Sequence, residues 1–230
     1  MNEDNVTPTR VVFLFDVDNT LLDNDRVAAD LQRHLASEIG EGGVLEYWRI
    51  FEQLRNELGY ADYLVALQRY RTEHPHAQQL LSMSDFLVSY PFAKRLFPDA
   101  LRVIQHVEQL GPAVILSDGD VVFQPLKVNR SGLANSVCGR VLIYVHKEQE
   151  LDDVERRYPA EHYVLIDDKL RILAAVKEFW GKRVTTVFVR QGHYAIDPKI
   201  ISSYPPADIS IERIRDLLRY RLPELLSPKT

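Results

Sequence analysis

The sequence predicts a doubly wound α/β domain with an all-helical insert after its first strand. Three observations carry that expectation. Short apolar runs recur along the chain, each bounded by turn or polar residues. Helical patterns separate most of them, and one long stretch, from Asp23 to about Tyr90, shows helical periodicity alone. Continuous apolar runs read as strands buried on both faces, the habit of parallel sheets. Their alternation with helices builds a doubly wound layer. The 230 residues suit one large domain, or one domain carrying a smaller insert.

The first strand is Val11–Phe15, with Asp16 and Asp18 just after it. In the insert, Asn24 or Asp25 caps a helix reaching Ile39, and Gly40-Glu41-Gly42-Gly43 breaks it. Leu45, Trp48, Phe51, Leu54 and Leu58 then resume at helical spacing. Tyr60–Tyr70 and Ala77–Val88 supply two more helices, separated by His74-Pro75. About four helices at this point form a small cap over the carboxyl edge of the sheet. The expected division is 23–91 for the cap, and 1–22 with 92–230 for the α/β core. Pro98 opens a core helix carrying Ile104, Val107 and Leu110 and stopping at Gly111-Pro112. Strands follow at Ala113–Leu116, Val141–Val145, Tyr163–Ile166 and Thr185–Val189, with a weaker one at Asp208–Ile211. Leu170, Leu173, Ala174 and Val176 mark a helix ending near Gly181.

Hydrophobic residues make up 46% of the chain and charged residues 27%, enough to bury a proper core. A net charge of −5 argues against nucleic acid or an anionic membrane as partner. No apolar run approaches the ~20 residues of a membrane helix, and the polar start from Met1 to Arg10 has no signal-peptide core. The single cysteine, Cys138, excludes an internal disulfide and a cysteine-built metal site. It reads as a small buried residue of a cytoplasmic protein.

Ligands of open α/β sheets bind beyond the carboxyl ends of the strands. Asp16 and Asp18 follow the first strand, Ser117 the second, Lys147 the third, and Asp167 and Asp168 the fourth. Up to four negative charges thus face one lysine. Two like charges about 4 Å apart repel by roughly 4 kcal/mol at an effective dielectric of 20. Such a site needs a divalent cation, a protonated carboxyl, or both. Hard oxygen ligands without cysteine or clustered histidine point to Mg²⁺. Since Mg²⁺ favours phosphate oxygens, the missing partner is a phosphoryl group.

Through Asp16-Val17-Asp18-Asn19-Thr20, Ser117, Lys147 and Asp167-Asp168, the main domain resembles the haloacid dehalogenase-like (HAD) superfamily of hydrolases. The helical insert sits where the helical-cap members carry their cap. The resemblance implies a Rossmann-like α/β core and a Mg²⁺-dependent phosphatase acting on a small phosphorylated metabolite. It implies that Asp16 attacks phosphorus to form an aspartyl-phosphate. Asp18 then serves as general acid and base, and it must carry a proton when substrate binds, which neighbouring carboxylates and partial burial would favour. Ser117 hydrogen-bonds the phosphoryl oxygens, and Lys147 neutralises charge on Asp16 and the transferring group. Mg²⁺ is held by Asp16, the Asp18 backbone carbonyl and Asp167, with Asp168 a further ligand or just behind.

This chain departs from the family pattern in two places. Asn19 stands where glycine is frequent, though asparagine also tolerates a left-handed backbone. Glu148 follows Lys147 where proline is frequent, which keeps Lys127 as an alternative active-site lysine. Lys169 is expected to point to solvent, Asp168 to cap the helix after it, and His193 to be a loop residue without a role. Trp48, Tyr47 and Phe51 read as cap core, and Arg49 and Arg55 face either the cleft or water.

A phosphomutase of the same fold is the nearest alternative. A non-catalytic phosphate-binding or signalling module is another, but receiver domains carry their phosphorylated aspartate after the third strand and lack a large insert. Dehalogenation needs neither metal nor an acid two residues after the nucleophile, and Asp18 is present. Phosphonate cleavage uses a cap lysine, and Asp23–Tyr90 contains none. An EF-hand reading of Asp16, Asp18 and Thr20 fails because Leu21 and Val27 occupy the positions that need glycine and glutamate.

Overall fold

The computed structural model describes residues 9–60, 62–76 and 79–227. Its strands are β1 (Thr9–Phe15), β2 (Ala113–Asp118), β3 (Val141–Tyr144), β4 (Ala160–Asp167), β5 (Val184–Val189) and β6 (Ile209–Ile211). They form one sheet in the order β3-β2-β1-β4-β5-β6, and every neighbouring pair is parallel. All six expected strands are present. β4 starts earlier than its apolar run, because Thr9 of β1 pairs with Ala160.

Alternate residues of the central strands feed two cores. Val12, Leu14, Val114, Leu116 and Leu165 pack on one face with Leu173, Val176 and Trp180 of the helix Leu170–Trp180. Phe13, Phe15, Ile115, Val164 and Ile166 pack on the other, in a cluster continuous with the cap. Phe15 lies level with Ile115 of β2 and Ile166 of β4. The chain steps from β1 outward to β2 and β3, then crosses back to β4 on the other side of β1. The crevice at that reversal, where doubly wound sheets bind ligands, opens beside Asp16 and Asp167.

The cap consists of α1 (Asn24–Leu58), α2 (Tyr63–Glu73) and α3 (Leu80–Ser89). The glycine-rich break interrupts α1 less than expected: only Gly40, at φ 70° and ψ 173°, leaves helical geometry, so two of the four expected helices are halves of one kinked helix. Neither Asn24 nor Asp25 caps it. Asp23 does, its carboxylate accepting the Arg26 N–H at 2.9 Å. Leu31, Leu35, Tyr47 and Ile50 of α1 are buried against the neighbouring helices.

The two chain crossings between cap and core run side by side. Asp23 N–H donates to the Arg95 carbonyl at 2.8 Å, and Phe97 N–H to Leu21 at 2.9 Å. Asp30 of α1 ties them further, accepting from Arg95 and from the Tyr90 hydroxyl. After the cap, the helix Ala100–Val107 ends before Leu110, with Leu110 and Gly111 turning back onto the Val107 carbonyl. Cys138 is exposed rather than buried, in a left-handed turn (φ 52°). No described helix is long and apolar enough to cross a membrane.

Candidate active site

Asp16, Lys147, Asp167 and Asp168 converge at the crevice, and each is almost wholly buried. Lys147 Nζ donates to Asp16 Oδ1 at 2.5 Å and pairs with Asp167 Oδ2 at 2.7 Å. Its backbone N–H is fixed by Asp118 Oδ1 at 2.8 Å. Lys147, and not Lys127, therefore stands against Asp16. Asp167 Oδ1 accepts the Lys169 N–H at 2.8 Å, so Asp167 rather than Asp168 closes the turn into the following helix. Both oxygens of Asp168, and Oδ2 of Asp16, are buried without a hydrogen-bond partner among the described residues.

Asp18 is held apart from this cluster. Its carboxylate takes two hydrogen bonds from Lys127 Nζ, at 2.6 and 2.8 Å, and Lys127 also donates to Asn24 Oδ1 at 3.0 Å. The expected carboxylate neighbours of Asp18 are replaced by an ammonium group, because the helix Phe123–Arg130 brings the fully buried Lys127 up beneath it. Ser117 is buried at the end of β2; its hydroxyl accepts from Gln124 Nε2 at 2.9 Å and donates to the Asp118 carbonyl at 3.2 Å.

A cleft of about 840 Å³ separates cap from core. Asp18 forms part of its wall, whereas Asp16, Ser117, Lys147, Asp167 and Asp168 lie beneath it. Trp48 and Phe51 line the cap side, while Tyr47 is core, its hydroxyl donating to the Tyr63 carbonyl at 2.9 Å. Arg55 faces the cleft, and Arg49 lies on the outer surface with Glu46 and Glu73. Lys169 belongs to the cleft wall instead of pointing to solvent, its ammonium 5.5 Å from the Tyr194 ring centre.

The turn after β1 is fixed by Asn19, which adopts φ 61°. Its Oδ1 accepts from the N–H groups of Asn24 and Asp25, at 3.0 and 3.1 Å. Its side chain fills the space over Gly192, where an added Cβ would lie 2.4 Å away. Asp25 in turn binds His193 Nδ1 at 2.6 Å and the His193 N–H at 2.9 Å. His193 therefore has a defined place at the cleft, joining the loop after β5 to the start of the cap. Its approach to Asp25 spans most of the chain, and no local pattern announces it.

Burial favours the neutral form of a carboxyl group and outweighs the nearby ammonium groups here. It raises Asp167 from the ordinary 3.8 to about 6 and pushes Asp168 well above the carboxylate range. Burial works against the charge on Lys147 and on Lys169, but the surrounding carboxylates overcome it and hold both upward. Asp16, Asp167 and Asp168 each offer an oxygen, all within 4.8 Å of one another. Unpartnered buried oxygens in an all-oxygen donor set fit a hard divalent cation.

A pH-dependent consequence follows. A carboxyl whose pKa is higher folded than unfolded binds more protons in the folded state, so its contribution to stability is lost as pH rises from 3.8 to about 6. A divalent cation compensates only once the carboxyls ionise. Millimolar Mg²⁺ should raise the Tm of metal-free protein clearly at pH 7.5 and little at pH 5, measured by differential scanning fluorimetry. Equal Tm with and without Mg²⁺ at pH 7.5 would remove the cluster as a cation site.

No family model and no curated protein matches the chain. Solved structures do. A haloacid dehalogenase-like hydrolase of Burkholderia xenovorans LB400 is 63% identical, over 93% of this chain and 100% of that one, with a TM-score of 0.89. At lower identity the fold recurs in a magnesium-bound HAD hydrolase of Bacillus subtilis (19%, covering 93% and 98%, TM-score 0.59). It recurs also in an L-2-haloacid dehalogenase of Xanthobacter autotrophicus with chloropropionic acid covalently bound (20%, covering 92% and 97%, TM-score 0.57).

Proposed function

The chain belongs to the haloacid dehalogenase-like hydrolases, and from that premise we propose that it is a Mg²⁺-dependent phosphatase of a small phosphorylated metabolite in the cytoplasm. The observation that carries this reading is Asp18. It stands two residues beyond the buried Asp16, with its carboxylate in the cleft wall and oriented by Lys127. A hydrolase that only displaces halide has no use for a second acid there. A phosphatase must protonate its leaving group and then activate water.

Lys147 pins Oδ1 of Asp16, leaving the unpartnered Oδ2 to approach phosphorus. Attack forms the Asp16–phosphorus bond and breaks the ester bond, and the leaving oxygen takes its proton from Asp18. Asp18 then receives a proton from the water that attacks the aspartyl-phosphate, which releases phosphate and restores Asp16. Ser117, by giving up its contact with the Asp118 carbonyl, would donate to a phosphoryl oxygen. Asp16, Asp167, Asp168 and the backbone carbonyl of Asp18 would hold Mg²⁺, which supplies charge neutralisation of the phosphoryl oxygens. The lysine ammonium and the buried dipoles do the rest by position.

The test is hydrolysis of 4-nitrophenyl phosphate with Mg²⁺, run beside metal-free 2-chloropropionate. Phosphate release that stops with EDTA supports the reading; halide release without phosphate release overturns it. Asp18→Asn should lower turnover by about 10²- to 10⁴-fold, and more for alkyl than for aryl phosphates, since an alkoxide needs the proton most. Unchanged turnover of both ester types would remove Asp18 as acid and base.

A further inference from the structure

One sector of the cleft sets a cation from the cap and a cation from the core on the same aromatic ring. Several charged groups of the cleft have side-chain partners: Asp18 with Lys127, Asp25 with His193, and Glu148 with Arg171. Asp118 accepts the Lys147 N–H, and Asp120 accepts the N–H groups of Val122 and Phe123. Arg55 and Lys169 are different. Arg55 comes from the last turn of α1 in the cap, and Lys169 from the core, just before the helix Leu170–Trp180. Both stand on the ring of Tyr194, with Arg55 Cζ 5.7 Å and Lys169 Nζ 5.5 Å from its centre.

Among the described residues Lys169 makes no direct ion pair, and the carboxylates of Asp168, Asp16 and Asp167 beneath the cleft hold its charge. Arg55 has only Glu52, 3.4 Å away, with the two side chains 38% and 55% exposed. Solvent screens such a pair to little net attraction. The Tyr194 ring stabilises each cation, one from the cap and one from the core. The aromatic side chains of Trp48, Phe51, Tyr63 and Phe123 also line this cleft and offer a surface for a carbon skeleton.

Resting on the phosphatase reading, we propose that Arg55, Tyr194 and Lys169 form a leaving-group subsite selecting phosphomonoesters that carry a second anionic group, carboxylate or phosphate. The second anion accepts charge-assisted contacts from the cap cation and the core cation. The phosphoryl end reaches Asp16 beneath the cleft floor, and the skeleton between the two anions lies along the aromatic side chains. The subsite is complete only with the cap over the core, because neither part alone supplies both cations.

The experiment compares kcat/KM for phenyl phosphate, 4-carboxyphenyl phosphate and 4-phosphonophenyl phosphate. The expected result is a preference of about 10-fold or more for an anionic ester over the neutral one, and the stronger anionic arm identifies the anion. Arg55→Met and Lys169→Met should each bring that ratio towards one, while Arg49→Met, on the outer face of the cap, keeps it. Equal efficiency on all three esters, or a preference that survives Arg55→Met, overturns the subsite and leaves the phosphatase reading standing. A binding measurement separates the opposite failure. Trp48 fluorescence is titrated with 4-hydroxybenzoate and with 4-hydroxybenzyl alcohol. Tighter binding of the carboxylate, lost in Arg55→Met, supports the subsite even if no phosphoester is turned over, in which case only the phosphatase reading falls. Equal binding of both compounds counts against the subsite.

Discussion

Asp16→Asn should abolish turnover, lowering kcat/KM for an aryl phosphate by about 10⁴-fold or more, as loss of a covalent nucleophile does. The substitution keeps the side-chain shape. Its amide oxygen can still accept from Lys147, and Lys147 retains Asp167 at 2.7 Å. The variant should therefore fold with a Tm near that of the unmodified chain, so the loss reports chemistry alone. An amide does not form the aspartyl ester. Intact-mass analysis after acid quench should show one added phosphoryl group on the unmodified chain and none on the variant. Residual turnover within about tenfold would remove Asp16 as nucleophile.

The second large effect is on stability. Lys147 is the ammonium that joins Asp16 and Asp167, and all three are buried. Lys147→Met preserves much of the stem while removing the ammonium that directly bridges the two carboxylates. Removing one member of a buried ion pair costs about 3–5 kcal/mol. Metal-free variant at pH 7.5 should therefore unfold at clearly lower urea concentration than the unmodified chain. The deficit should shrink on acidification. Burial holds Asp167 up at about 6 even beside the lysine, and without it the neutral form is favoured still more, so protonation relieves the repulsion as the pH falls. A deficit that does not shrink by pH 5 would mean that the loss arises from packing rather than charge. An unaltered urea midpoint at pH 7.5 would show that Lys147 does not bridge Asp16 and Asp167 in solution.

Much of this was legible in the sequence because strands buried on both faces are written as unbroken apolar runs. Each of the six runs corresponds to one strand, and the residue at its carboxyl end needs no long-range information to be placed at the edge of the sheet. Helices were legible by period but not at their ends. The cap of α1 falls on Asp23, one residue before the expected pair, because Asn24 is drawn towards Lys127 and Asp25 towards His193. Glycines 42 and 43 stay helical, since glycine permits a break without enforcing one.

The sequence by itself determined the parallel sheet, the helical insert after β1 and the residue types delivered to the strand ends. These depend on periodicity and on local register, which each segment carries within itself. Only the tertiary structure decided which charges meet. Lys147 and Lys127 carry the same side chain, and although Lys147 follows the third apolar run, only the fold sets Lys147 against Asp16 and Lys127 against Asp18. Arg55 comes from the cap and reaches Tyr194, beside Lys169 of the core, only because the cap lies over the crevice. Coulombic energy depends on distance through space, and the fold sets those distances between residues far apart in the chain.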